Sequence, residues 1–300
     1  MPRHRSNFRN QAEYALVRAL LAVLRHSRHR QRLARAAFSL LARALPRLNR
    51  IAARNLELAL PELGAARHAE IIEGVWTSLA RLLSTLAQFP EIDRSNIHAW
   101  IRYEGFENFE RARARGRGVL VATAHLGNWE FSAFAHALMA EPMAVVARPL
   151  DNPLLDALVT RYRTQSGNWV IGRGKDPLRP LLAALRANQA VGILVDQNVT
   201  ADRGVFVDFF GRPACVDSGL ARIAARTGAA VVPGYAVWSA GEQRYVLHFE
   251  PEVPVTGDTL ADTQAVHSRL EAAIRRWPEQ WLWIHRRWKT RPPGEASLYR

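Results

Sequence analysis

The 300-residue chain is 48% apolar and 23% charged. That is enough to bury a full core, which excludes a disordered, collagen-like or small disulfide-stapled protein. Its single cysteine, Cys215, has no partner for an internal disulfide, and no metal-type Cys/His spacing occurs, so a reducing compartment fits. The net charge of +14 rests almost wholly on arginine, 39 of the 41 basic residues, and points to a phosphate-bearing partner, either nucleic acid or an anionic membrane surface.

The charge is segregated along the chain. Residues 1–54 hold 13 arginines against one acid, Glu13, and residues 275–300 hold seven basic residues against Glu279 and Glu295. The 220 residues between them carry 21 basic and 24 acidic groups, so the body is nearly neutral and its ends are cationic. Within the first end the arginines alternate with apolar runs. Only Arg18 interrupts residues 14–24, and only Ser39 and Arg43 interrupt residues 36–45. This spacing predicts two helices joined by a basic knot of Arg25, Arg28, Arg30, Arg32 and Arg35. No stretch reaches the roughly 18 apolar residues of a bilayer span, and no small-residue cleavage site follows a hydrophobic run. The expectation is an interfacial arm over residues 1–56, with apolar faces in the acyl boundary and arginines at lipid phosphates. Two ordinary core helices would explain the apolar faces but not the arginines. A nucleic-acid-binding arm would have few apolar residues inside its basic segment, and residues 14–24 contradict that.

A second helical block is predicted over residues 54–88, broken at Pro61 and near Gly64 and closed by Pro90. After Trp100 the texture changes. Short β-branched runs at 118–124, 143–147, 169–171, 191–195, 231–237 and 245–249 alternate with helical patterns at about 129–140, 153–166, 177–188 and 218–227. Such alternation predicts an α/β domain with a mostly parallel sheet flanked by helices. The expected organisation is the arm, then a domain over 57–300 with a helical lead-in at 57–100 and an α/β core at 101–290.

The sharpest local feature is Thr123-Ala124-His125-Leu126-Gly127-Asn128-Trp129-Glu130. It follows a strand-like run and precedes an apolar helix. His125 reads as the end of the strand, Gly127 as a turn, Asn128 as a helix N-cap and Glu130 as a first-turn residue. In that geometry the Glu130 carboxylate can fold back onto one imidazole nitrogen. The other nitrogen is left as an acceptor at the carboxyl edge of the sheet, where open α/β sheets bind ligands. A neutral imidazole so oriented can take a proton from an alcohol attacking a carbonyl. A satisfied core histidine is the plainer alternative. No Gly-x-Ser-x-Gly elbow accompanies Ser132, so no covalent acyl-enzyme is expected.

His125-x4-Glu130 within Ala-His-Leu-Gly-Asn-Trp-Glu resembles the His-x4-Asp/Glu motif of the late acyltransferases of lipid A biosynthesis, the lauroyl and myristoyl transferases within the lysophospholipid acyltransferase superfamily. Further blocks resemble the family in order. They are Arg148-Pro149 with Asn152-Pro153, Arg161-Tyr162-Arg163 followed by Gly167, Asp196-Gln197-Asn198, Phe209-Phe210-Gly211-Arg212-Pro213, and Arg226-Thr227-Gly228. A closing stretch runs from Trp277-Pro278-Glu279-Gln280-Trp281 to Trp288-Lys289, and Ala53-Arg54-Asn55-Leu56 matches the amino-terminal block.

The resemblance implies a glycerol-3-phosphate-acyltransferase-like fold and transfer of an acyl chain to a lipid hydroxyl. The donor is an acyl carrier protein thioester, with acyl-CoA the alternative, and neither metal nor cofactor takes part. The implied setting is the cytoplasmic face of the inner membrane, with anionic lipid, acyl carrier protein and a lipid A precursor as partners and no nucleic acid. His125 and Glu130 form the base. Arg163 braces the thioester oxyanion or holds a phosphate; pairing with Asp156 or Asp196 on a helix surface is the alternative. Arg148 and Asn152 bind acceptor phosphate or shape the site. Asp196 and Gln197 lie at a strand's carboxyl edge, where Asp196 either takes part in the chemistry or orients Arg163 or Arg148. Trp277, Trp281, Trp283 and Trp288 either seat the carboxyl-terminal end in the headgroup layer or pack in the core. A lysophospholipid, ornithine lipid or mannosylated lipid is the alternative acceptor, and a noncatalytic membrane protein the alternative class.

Overall fold

The computed structural model describes residues 6–172 and 177–299. Four helices open the chain: α1 (Asn7–His26), α2 (Arg30–Ala44), α3 (Pro46–Ala59) and α4 (Gly64–Leu86). A single turn at Pro61–Leu63 separates the last two, where the sequence placed its break. The arm is packed rather than free. Leu21 and Leu24 of α1 and Ala34 of α2 close a small core with Ala80 and Ala87 at α4, which Leu158 and Tyr162 flank. Helix α3 buries Ala52, Leu56, Leu58 and Ala59 in the main core. Residues 1–5 of the sequence-defined arm lie outside the described residues.

The remainder is an α/β layer structure. The elements in order are β1 (Ile101–Glu104), α5 (Phe106–Ala114), β2 (Val119–Thr123), α6 (Trp129–Met139), β3 (Ala144–Ala147), α7 (Pro153–Thr164) and β4 (Trp169–Gly172). There follow α8 (Leu178–Arg186), β5 (Ala190–Leu194), β6 (Val205–Asp208), β7 (Pro213–Val216), α9 (Gly219–Thr227), β8 (Ala230–Ser239), β9 (Arg244–Phe249) and α10 (Thr259–Arg276). Seven strands form one sheet in the order β1-β9-β8-β2-β5-β3-β4, and β6 and β7 pair separately. Every neighbouring pair in the large sheet is parallel except β8 with β9.

The alternation of side chains across β2 explains the layers. Leu120 and Ala122 face a core shared with Leu181, Leu185, Leu220, Ala224, Leu270 and Ile274 of α8, α9 and α10. Val119 and Val121 face the opposite core with Phe109 and Ala112 of α5 and Phe131 and Phe134 of α6. Both faces are thus covered, and the sheet's carboxyl edge is left to carry chemistry.

The elements that the sequence reading left out are β1, α5, the β6–β7 hairpin and α10. The hairpin turn carries Phe209 and Phe210, both buried, and their rings meet Trp281, Trp283 and Trp288. Those three tryptophans are core residues at 2%, 0% and 0% exposure, which corrects the headgroup-layer reading for them. Only Trp277 is half-buried, with the Arg276 guanidinium 4.3 Å from its ring centroid.

Candidate active site

Strand β2 ends at Thr123 and His125 follows it at the sheet's carboxyl edge. Gly127 makes the next turn at φ +64°, and a Cβ there would lie 1.9 Å from the Ala236 carbonyl oxygen of β8. Its amide donates to the Gln280 carbonyl at 2.9 Å, and the Asn128 amide donates to Ala236 at 2.8 Å. Asn128 caps α6, its side-chain oxygen accepting from Phe131 N at 3.0 Å. The turn is therefore pinned to β8 and to the closing segment, which fixes where His125 points.

His125 donates from Nδ1 to Asp196 Oδ1 at 2.8 Å, and its backbone amide donates to Asp196 Oδ2 at 2.8 Å. Trp281 Nε1 also donates to Oδ2 at 2.8 Å, so both carboxylate oxygens are held. Asp196 is buried, and His125 keeps 14% of its side chain exposed. With Nδ1 donating to Asp196, the imidazole's Nε2 is the acceptor, and the exposed Gln197 side chain donates to it from Nε2 at 3.3 Å. Desolvation pushes the Asp196 carboxyl up, but the His125 charge and the hydrogen bonds from His125 and Trp281 prevail and hold it well below the usual carboxylate range. Desolvation likewise pulls the His125 imidazole down. The Asp196 charge and hydrogen bond, with a contribution from Glu130, outweigh it, and the net direction is up.

The carboxylate behind the imidazole is thus Asp196, a correction to the pairing of His125 with Glu130. Glu130 in the first turn of α6 instead accepts two hydrogen bonds from Arg163 of α7, from Nε to Oε2 at 2.8 Å and from Nη2 to Oε1 at 2.6 Å. The two side chains are 13% and 16% exposed. Burial pulls the Arg163 guanidinium down, and the Glu130 carboxylate more than restores it, so Arg163 stays charged. Its partner is neither Asp156 nor Asp196. Among the described residues, Arg163 Nη1 makes no hydrogen bond.

Two expected site residues lie apart from this cluster. Asn152 is buried at the N-terminus of α7. Its oxygen accepts from Leu154 N at 3.0 Å, and its amide donates to Asn10 O at 3.0 Å and Glu13 Oε2 at 3.1 Å on α1. That spends the side chain on capping α7 and tying it to α1, which is shaping rather than ligand contact. Arg148 is 71% exposed, 3.8 Å from Asp151.

The sequence reading gave Trp281 no part in the reaction centre and assigned no role to Asn55 or His285, although the amino-terminal and closing blocks contain them. Buried Asn55 of α3 donates from Nδ2 to the carbonyls of Trp283 at 2.6 Å and His285 at 2.7 Å. Burial pushes His285 down to about 4, so its neutral Nε2 accepts from Asn198 N at 3.2 Å. The amino-terminal and closing blocks thus meet around the Asp196-Gln197-Asn198 turn, a long-range pairing that only their joint presence in the chain could have hinted at.

Comparison with known proteins bears on this arrangement. Residues 4–290 match the family model of bacterial lipid A biosynthesis acyltransferases. The lipid A biosynthesis palmitoleoyltransferase of Escherichia coli (strain K12) is 33% identical over 85% of this chain and 83% of its own length. The lauroyltransferase of the same strain is 31% identical over 86% and 84%. The phosphatidylinositol mannoside acyltransferase of Mycolicibacterium smegmatis is 27% identical over 78% of each chain. With the family match over residues 4–290 and relatives aligned over most of its length, the chain belongs to the bacterial lipid A biosynthesis acyltransferase family.

Proposed function

We propose that the protein moves a fatty acyl chain from an acyl carrier protein thioester to a hydroxyl of a lipid A precursor by direct attack. The carrying observation is His125, fixed through Nδ1 by Asp196, with Nε2 at the sheet edge accepting from the exposed Gln197 amide, a contact that a substrate hydroxyl replaces. The acceptor hydroxyl attacks the thioester carbonyl as its proton passes to Nε2. Collapse breaks the C–S bond, and the imidazolium returns the proton to the departing thiolate, so an ester and a thiol are produced. Asp196 stabilises the transient imidazolium, and an oriented base of this kind contributes about 10²–10⁴-fold. Arg163, held by Glu130, offers Nη1 to the developing oxyanion, a contribution of roughly 2.7–4 kcal/mol for one preorganised donor.

On this reading residues 1–56 are a membrane-facing arm, residues 57–300 are the transferase unit, and the enzyme sits peripherally on the cytoplasmic face of the inner membrane. Phe8, Leu16 and Leu40 are 81%, 72% and 64% exposed among the arginines of α1 and α2. Among the described residues no helix is long and apolar enough to cross a membrane. Amphipathic surfaces of this composition bind anionic lipid. The test supplies labelled acyl carrier thioester and a tetraacylated lipid A precursor, with a lysophospholipid and a phosphatidylinositol mannoside as competing acceptors. Transfer to the lipid A precursor that His125→Ala abolishes is expected; transfer that survives His125→Ala would remove the base from the mechanism.

A further inference from the structure

We infer that the arginine-lined cavity between α3 and the carboxyl-terminal tail binds the phosphate of a phosphorylated sugar headgroup, that of the lipid acceptor. The inference rests on the transferase reading for its substrate, but not for its binding chemistry. The cavity is about 600 Å³, and four guanidinium side chains line it: Arg47, Arg50 and Arg54 from α3, and Arg286 from the closing segment. Positions 47, 50 and 54 recur at helical spacing, so one face of α3 presents all three.

Among the described residues, Arg54 alone of these four arginines makes an ion pair. No carboxylate is among its described lining residues. Arg54 reaches outward to Glu57 at 3.1 Å and donates to Leu298 O at 3.0 Å. Arg47 and Arg50 make no ion pair among the described residues. Arg286 Nε is buried with no hydrogen-bond partner, and its guanidinium lies 5.6 Å from the Tyr299 ring centroid. Like charges gathered around one cavity repel, and a buried, unmatched N–H donor is costly. An anion with several acceptor oxygens removes the repulsion, and guanidinium forks match phosphate geometry.

The remaining lining selects the kind of phosphate. The volume lies within the ~300–1,000 Å³ of ordinary ligand pockets and has room for a sugar ring as well as a phosphate. Tyr299 supplies an aromatic face and Ser297 a hydroxyl. The cavity is also linked to the reaction centre by hydrogen bonds through its walls. The Tyr299 hydroxyl donates to Asn55 Oδ1, and Asn55 donates to the Trp283 and His285 carbonyls. The same segment carries Trp281, which holds Asp196. A headgroup seated here therefore steadies the segment that orients the base.

The test uses the full-length protein and calorimetric titration with glucosamine 1-phosphate, glucosamine and inorganic phosphate. The sugar phosphate should bind and the sugar should not. Arg47→Gln/Arg50→Gln, both exposed positions, should weaken sugar-phosphate binding about tenfold, the loss of one charge-assisted contact or more. Arg186→Gln/Arg222→Gln, an equal loss of charge at exposed positions on α8 and α9, should leave it unchanged. In the transfer assay the Arg47/Arg50 variant should raise KM for a phosphorylated acceptor by about tenfold, with kcat nearly constant and KM for its dephosphorylated counterpart unmoved. Absence of sugar-phosphate binding, equal binding of sugar and sugar phosphate, or equal losses in the two arginine pairs would overturn the site. Inorganic phosphate binding as tightly as the sugar phosphate would overturn the headgroup assignment. The titration needs no acyl transfer, so a failed transferase reading and a failed site give different results.

Discussion

His125 and Asp196 stand side by side because each lies two residues beyond a paired strand position. Thr123 of β2 is in register with Leu194 of β5, and the parallel ladder continues as Val195 N donates to Thr123 O at 3.0 Å. Two neighbouring parallel strands ending level thus deliver an imidazole and a carboxylate to the same point, and the Trp281 indole locks the carboxylate there. The pairing follows from register rather than from proximity in the chain.

That relationship fixes a pH signature. The base works as neutral imidazole, so activity should appear as pH rises through the His125 pKa, which the Asp196 charge raises above the ordinary value of about 6.5. Asp196→Asn removes the negative charge that favours imidazolium. The acid limb of kcat/KM should move to lower pH while the plateau falls about 10²-fold or more, because tautomer and orientation are no longer held. A plateau loss with an unmoved limb would show that Asp196 does not act on the His125 charge.

The Glu130–Arg163 pair should act on the same limb in opposite directions. Glu130 raises the His125 pKa and Arg163 lowers it. Glu130→Gln leaves the guanidinium unneutralised beside the imidazole, so the acid limb should shift down. Arg163→Gln leaves the carboxylate, so the limb should shift up. Both should lower kcat, and the double variant should cost less than the two single losses combined, since the two side chains form one bidentate unit. A pH-rate series over the three variants measures this; shifts of the same sign would refute the electrostatic arrangement.

Gly127 is the backbone element that aims the base. At φ +64° with Ala236 O 1.9 Å from where a Cβ would stand, Gly127→Ala combines left-handed strain with a backbone clash. Loss of about 3 kcal/mol or more in chemical denaturation is expected. Gly116, also at positive φ but with open space around a Cβ, should tolerate alanine with a loss of only about 1 kcal/mol.

Membrane attachment is testable without truncation, which would strip Leu21, Leu24 and Ala34 from their core. Leu16→Ser/Leu40→Ser changes exposed positions only. Cosedimentation with anionic vesicles should fall severalfold in this variant, at nearly unchanged thermal stability. Binding of the parent protein should weaken as salt rises, because exposed arginines are screened. Binding that is indifferent to both would exclude the arm as the membrane contact.

The sequence by itself determined the class of the fold and most elements of the sheet, because strand-helix alternation is a local property written in periodicity. It also determined the turn that carries His125, because Gly127 and Asn128 state a left-handed residue and a helix cap directly. Segments with weak or mixed periodicity escaped it, such as the four-residue β1 and the β6–β7 hairpin, whose buried Phe209 and Phe210 read as a motif rather than as a plug. The tertiary structure alone decided which carboxylate serves which cation. Glu130 is five residues from His125 and Asp196 is 71, yet the far one is the partner, because β2 and β5 end in register while the first turn of α6 carries Glu130 to Arg163 on α7. Chain spacing limits which side chains can meet within an element; strand order and register determine which ones do meet between elements.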